Sequence, residues 1–336
     1  MKMRELLHSV AVRAARYLED IQERRVSPSA EAVRDLARFD EPLPEGPTAP
    51  EDVIGMLDEV GSPATMGIAG RRFFGFVIGG SLPAALGANW LASAWDQNAG
   101  LFAATPVSAT LEEVSLRWLL DVLALPAGCG GAFVTGATMA NFTALAAARH
   151  AHLVVGVAEA DSWATDAHKW LNVPYDSGLA LVRDADHLRG AMSMTAAYLP
   201  QGGHREPMLY VPELSRRARG VDTWAALKSL GRSGLGELID RNCRCATRFA
   251  AGLAGAGFEI LNDVVLNQVL VSFGTPEMTG RAIAGLQEDG TCWCGPTLWQ
   301  GRVAMRISVS SWATTEADVE RSLEAMLRIA REAAGG

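Results

Sequence analysis

Along most of the chain apolar residues recur every three or four positions, the spacing of helices with one buried face, and prolines and glycines break the pattern into segments. Residues 1–38 read as two helices joined at Ser27-Pro28-Ser29, and the proline-rich run from Glu41 to Pro50 reads as a surface connector. A helix over Glu51 to Val60 leads into Arg71-Arg72-Phe73-Phe74-Gly75-Phe76-Val77-Ile78-Gly79-Gly80. Aromatic and β-branched residues broken by glycine predict a loop or short strand there. Helical spacing resumes over Ser81 to Trp95 and over Thr110 to Leu123, whose start carries a Thr110/Glu113 capping box.

The pattern then changes. Gly131-Ala132-Phe133-Val134-Thr135-Gly136-Ala137-Thr138 with Asn141 has the order strand, small-residue turn, helix, the helix running on to His150. A short strand-like stretch precedes His168-Lys169, a turn covers Asn172 to Gly178, and an apolar strand covers Gly178 to Arg183. Tyr198 to Tyr210, with two prolines and few apolar residues, reads as a mobile loop ahead of the basic triplet Arg216, Arg217 and Arg219. A helix follows over Val221 to Leu230. From Gly236 onward the order is helix, strand (Glu259 to Leu261), strand (Gln268 to Phe273), helix (Glu277 to Glu288), strand (Arg302 to Val309) and a helix from Thr315 capped with Asp318. Three parts are expected: an N-terminal helical segment over 1–60, a large domain over 61–235 and a small α/β domain over 236–336.

Composition narrows the class. The 336 residues are 49% hydrophobic and 20% charged, enough for a sizeable core in two domains. A formal charge of −8 and a pI near 5.4 argue against nucleic acid or an anionic membrane as partner. The first 22 residues mix charged and apolar side chains unlike a signal peptide, and no run of eighteen apolar residues occurs, so a cytoplasmic protein is expected. Five cysteines, an odd number, suit that compartment. The pairs Cys243/Cys245 and Cys292/Cys294 have one-residue spacing, which favours buried or half-buried thiols over a metal site.

Against that background Lys169 stands out, one of three lysines in a chain whose other cations are arginines. A lysine can lose its proton and condense with an aldehyde, which arginine cannot. Trp170, Leu171 and Val173 carry the backbone inward at once, so the amine needs a partner. A solvated surface lysine is the alternative. The small-residue turn at Gly136 leaves backbone N–H groups and a positive helix end free for a phosphate, or is simply a tight turn. No nucleotide fingerprint is present.

Five segments, in this order and over nearly the whole chain, resemble the pyridoxal-phosphate-dependent amino-acid decarboxylases of the aromatic-amino-acid and glutamate decarboxylase group (group II). They are Trp95-Asp96-Gln97-Asn98, then Thr105-Pro106 with Leu111-Glu112-Glu113, then Thr135-Gly136-Ala137-Thr138 with Asn141, then Asp166-Ala167-His168-Lys169-Trp170, and last Arg216-Arg217 before a helix. The resemblance implies an α/β, aspartate-aminotransferase-like fold (fold type I), with a mainly parallel sheet in the large domain and a small C-terminal α/β domain. It implies pyridoxal 5'-phosphate as cofactor, an L-amino acid as substrate and a homodimer. It places a Schiff base on Lys169, His168 beside the cofactor phosphate, and Gly136, Ala137 and Thr138 as phosphate donors. Thr105 and Pro106 would border the substrate pocket. Tyr210, with His204 as its rival, would return the proton to the carbanion.

The chain departs from that family at one place. Relatives carry, between the phosphate-binding helix and the lysine segment, a histidine that stacks on the cofactor ring and an aspartate that pairs with its nitrogen. Here His150 runs almost directly into Ala151-His152-Leu153-Val154-Val155 and on to Asp161, so on the order of a hundred residues of strand-helix units are missing. Three readings result: an active carboxy-lyase with compensating residues, a degenerate relative that binds the cofactor with little turnover, and a non-catalytic dimerising scaffold. An aminotransferase fits the motifs less well. Phe73, Phe74, Phe76 and Trp90 line an aromatic pocket or belong to a core.

Overall fold

Three short strands surround the lysine segment. The computed structural model describes residues 2–126, 128–136, 161–193 and 205–335, which form two units, one of residues 1–78 with 241–336 and one of residues 79–240. In the second unit β1 (Gly130–Val134), β2 (Ser162–Asp166) and β3 (Gly178–Val182) pair in the order β1-β3-β2. Every residue of β1 and β3 is buried, as their apolar sequences require, whereas β2 is a half-exposed edge. Ala132, Val134, Ala180 and Val182 pack with Leu188, Met192 and Val211.

Both pairings are antiparallel, so the parallel part of the expected sheet is not among the described strands. The short connection from β2 to β3 accounts for this, because a parallel return needs a crossover of a dozen or more residues. Its consequence is positional. Gly178 is the register partner of both Val134 and Asp166, so the ends of β1 and β2 emerge at the same end of the sheet. A Cβ on Gly178 would lie 2.6 Å from the Gly136 Cα, an approach that only glycine allows here.

Helix Pro83–Trp95 agrees with its apolar spacing. The next helix, Pro106–Val122, starts before the predicted Thr110, because Pro106 takes the first helical position, where its missing N–H costs nothing. Helix Ala185–Met192, capped by the Asp184 side chain on the N–H groups of Asp186 and His187, was not foreseen.

In the other unit β4 (Glu259–Ile260), β5 (Gln268–Ser272), β6 (Gly295–Trp299) and β7 (Arg302–Ser308) form an antiparallel sheet of order β4-β5-β7-β6. β6 is a further unforeseen element. Its signal was Gln300-Gly301, a two-residue hairpin turn with positive φ at both positions (48° and 78°). Helices Pro276–Asp289 and Glu316–Gly335 pack on this sheet, the latter capped reciprocally by Thr315 and Asp318 as expected.

Residues 1–78 belong to this unit rather than forming a separate segment over 1–60. Arg72, almost fully buried, explains the difference: its guanidinium donates to the carbonyls of Thr291, Gln22 and Arg24 at 2.5, 3.1 and 3.0 Å. Of the four aromatic residues singled out in the sequence, Phe73 and Phe74 are core, whereas Phe76 and Trp90 are exposed. Phe73 stacks on Trp293 and Phe74 meets Phe249 edge-on, both phenylalanines buried. Cys245, Cys292 and Cys294 are buried thiols of that core. The long helix Arg219–Gly255 is broken at Gly231, where φ is 63°.

Candidate active site

Lys169 lies in the one-turn helix Ala167–Trp170 that follows β2 directly. The last strand residue, Asp166, is one helical turn before it, and that spacing brings the carboxylate back to the amine: Lys169 Nζ is 2.5 Å from Asp166 Oδ2. The Asp166 side chain is 5% exposed and the lysine side chain 35%, so the amine spans a buried anion and an open face. The second carboxylate oxygen, Oδ1, is 3.6 Å from His168 Nε2. The sequence pattern alone assigns Asp166 no role, although it stands three positions before Lys169.

His168 is fixed from the other side. The Ser177 N–H donates to its Nδ1 at 3.3 Å, which places the neutral ring's hydrogen on Nε2, toward Asp166. Its ring stacks on Tyr175 with centroids 4.2 Å apart. Burial holds the imidazole below the ordinary histidine range, and the nearby Asp166 charge only partly offsets that.

Gly136 completes the group from the end of β1. A Cβ there would stand 3.3 Å from Asp166 Oδ1 and 3.6 Å from His168 Cε1, so the bare backbone leaves the approach to both side chains open. Asn172, buried with φ of 51°, turns the chain after the lysine. Its side-chain amide donates to the carbonyls of Lys169 and Trp170 at 3.2 and 3.1 Å, and its own carbonyl accepts from the Leu82 N–H at 2.7 Å. Gly79 lies against this turn, where a Cβ would come within 2.6 Å of the Lys169 carbonyl oxygen.

The basic triplet surrounds the same segment. Arg219 grips Asp176 in a two-pronged hydrogen bond (3.1 and 3.0 Å), and Arg217 donates to the Tyr175 carbonyl at 3.2 Å and to Asp222 at 2.5 Å. Burial alone would raise the Asp176 carboxyl, but the Arg219 hydrogen bonds and charge outweigh it and hold it below the carboxylate range. Arg216 is buried and pairs with Glu112 at 2.5 Å, and Glu112 also takes Arg205 at 3.0 Å. The Arg216 backbone N–H donates to Asn98 Oδ1 at 3.0 Å, which ties the first and last of the five sequence segments together.

The remaining expected site residues divide. Thr105 is buried at the start of Pro106–Val122 with its hydroxyl turned onto the Leu101 carbonyl at 3.1 Å, and Pro106 is exposed. Tyr210 ends a 3-10 turn, Pro207–Tyr210, rather than a mobile loop. Its ring lies under the Arg205 guanidinium at 4.1 Å and packs against the β1–β3 core. Ala137, Thr138 and His204 lie outside the described residues.

An amine beside a buried carboxylate, a fixed neutral imidazole and the bare Gly136 backbone thus stand together at one end of the sheet. Residues 143–274 match the family model for the pyridoxal-dependent decarboxylase conserved domain. Over those residues the chain is similar to the pyridoxal-dependent decarboxylases. Among its relatives the histidine decarboxylase of Drosophila melanogaster is 31% identical over 169 residues, 49% of this chain and 20% of that protein. The aromatic-L-amino-acid decarboxylase of Bacillus atrophaeus is 25% identical over 53% of this chain and 39% of its own length. The chain thus spans well under half the length of these two curated relatives. Oryza sativa TDC solved with PLP and tryptamine superposes with a TM-score of 0.89 at 17% identity, covering 98% of this chain and 97% of that one. Catharanthus roseus tryptophan decarboxylase in complex with L-tryptophan gives 0.87 at 15%, covering 99% of each. The fold is therefore that of fold type I, as the five segments implied. The expected cofactor agrees with the pyridoxal dependence of the family.

Proposed function

We propose that the chain binds pyridoxal 5'-phosphate and is a carboxy-lyase that removes carbon dioxide from an L-amino acid, with Lys169 as the amine that takes the cofactor aldehyde. The observation that carries this reading is the convergence of Lys169, Asp166, His168 and Gly136 at one end of a sheet, through the shared register partner Gly178. When bound, the cofactor supplies an electron sink for the bond to the departing carboxylate. The chain's own residues do the rest. Lys169 anchors, Gly136 with Ala137 and Thr138 receives the phosphate, and His168, neutral and fixed by Ser177, lies beside Gly136. Thr105 and Pro106 are proposed to border the substrate. Tyr210 is proposed as proton donor with His204 as rival, and the Arg205 stacking supports a fixed tyrosine position.

A second reading has an observation in its favour: the run from His150 into Ala151 favours a chain that holds the cofactor with little turnover. The homodimer and the cytoplasmic location rest on the resemblance and on the charge pattern; no described helix is long and apolar enough to cross a membrane. The test is visible absorbance on adding the cofactor, with Lys169→Ala as control, followed by carbon dioxide release from a panel of L-amino acids. Absorbance in the parent chain that Lys169→Ala lacks, together with release, is expected. Absorbance without release selects the second reading, and no Lys169-dependent absorbance overturns both.

A further inference from the structure

We infer that Asp166 is the standing counter-ion of the Lys169 nitrogen, pairing with it as an ammonium before the cofactor binds and as a protonated carbon–nitrogen double bond afterwards. The inference rests on the proposed role of Lys169 and adds a positioning residue to it. The geometry that carries it is the 2.5 Å contact between Lys169 Nζ and Asp166 Oδ2, with the carboxylate at the sheet end nearly closed off from solvent.

Charge balance makes the arrangement chemically economical. An ammonium that condenses with an aldehyde exchanges two N–H bonds for a double bond to carbon and loses one water, and the product nitrogen keeps one proton and the positive charge. The protons for the leaving water come from the nitrogen itself, so no net proton is released and the nitrogen remains a cation that one fixed anion can serve throughout. A buried anion left without its cation is costly, so Asp166 favours the charged form of that nitrogen once the double bond has formed. Loss of the carboxylate therefore weakens the hold on the proton.

Among the described residues, charged groups near the pair have partners of their own. His168 Nε2 faces Asp166 Oδ1 at 3.6 Å and is kept neutral by burial. Tyr175 is stacked on His168, and Asp176, beyond it, is claimed by Arg219 with Arg217 near. Among the described residues Asp166 is thus the carboxylate in contact with the amine, and Asp176 is already paired with Arg219.

The experiment is a pH titration of the visible band of the full chain loaded with pyridoxal 5'-phosphate, in the parent, Asp166→Asn and Asp166→Glu, with borohydride trapping and peptide mapping to locate the modified lysine. Trapping at Lys169 in the parent is the readout for the underlying functional reading; its failure there overturns that reading, independently of Asp166. With trapping established, the midpoint for loss of the protonated band is expected to fall by about 1–3 pH units in Asp166→Asn, the scale of removing an opposite charge in contact. Asp166→Glu, which keeps the charge, is expected to remain closer to the parent. Equal midpoints in the parent and Asp166→Asn would overturn the inference. Should Asp166→Asn fail to fold by circular dichroism, Asp166→Ser is titrated in its place and read by the same criterion.

Discussion

His168 takes the Ser177 amide hydrogen on Nδ1, leans on Tyr175 and is buried; the first two hold the ring in place, and burial favours its neutral form. The consequence for stability has a definite sign. Burial, only partly offset by Asp166, sets the folded pKa below the unfolded one, which lies at about 6.5. Above that range the imidazole is neutral in both states and costs nothing. As the pH falls through it the unfolded chain takes up the proton first, so the folded state loses ground until its own lower pKa is reached. Urea midpoints at pH 7.5 and 5.5 should show the parent losing stability across this window and His168→Gln losing less. Asp222, whose carboxyl is raised by burial, responds in the opposite direction in both proteins and cancels in the comparison. An equal loss in parent and variant would mean that another group governs the acid response.

At the scale of elements, helix Pro106–Val122 is joined to later parts of its unit through one carboxylate. Glu112 lies on the buried face with Arg216 on one oxygen and Arg205 on the other, both side chains of the Arg216 pair being 1% exposed. Glu112→Gln leaves the Arg216 guanidinium buried without its anion, and a loss of about 3–5 kcal/mol is expected in urea denaturation. The paired change Glu112→Leu with Arg216→Met should recover most of that, because the buried charge goes together with its partner. Gly178→Ala is a second element-scale test. Its new Cβ, 2.6 Å from Gly136, would force β3 and the Gly136 turn apart, at a cost of about 1–3 kcal/mol and with weaker trapping of cofactor at Lys169. Such couplings also mark the limit of what the chain's pattern reveals. Lys169, the strands on either side of it and most helices follow from local spacing, chemistry and capping. The Glu112–Arg216 pair, 104 positions apart, and the Arg72 bonds that draw residues 1–78 to the C-terminal sheet do not, because nothing local specifies which buried cation meets which acceptor. Asp166 is intermediate: its spacing was readable, but its burial at the end of a strand was not.

For the molecule as a whole, holding the cofactor and turning over substrate place different demands on the chain. The described residues bring Lys169, the amine proposed to anchor the cofactor, together with Asp166, His168 and Gly136 within one unit, and on that proposal anchoring needs little more. Turnover also needs the cofactor ring to stay protonated and oriented, and by resemblance the groups for that belong to the stretch missing between His150 and the lysine segment. Inserting the corresponding stretch of the Bacillus atrophaeus aromatic-L-amino-acid decarboxylase at the His150–Ala151 junction should therefore change the two activities unequally. Borohydride trapping at Lys169 is expected to stay near the parent level, while carbon dioxide release rises on the order of 10²-fold, the scale of one well-placed charge or donor at a reacting centre. Equal release from the parent and a folded chimera would show that residues already in this chain perform that task. A gain in trapping as large as the gain in release would instead show that the inserted units help to form the lysine site itself, since the junction lies within the same unit of residues 79–240.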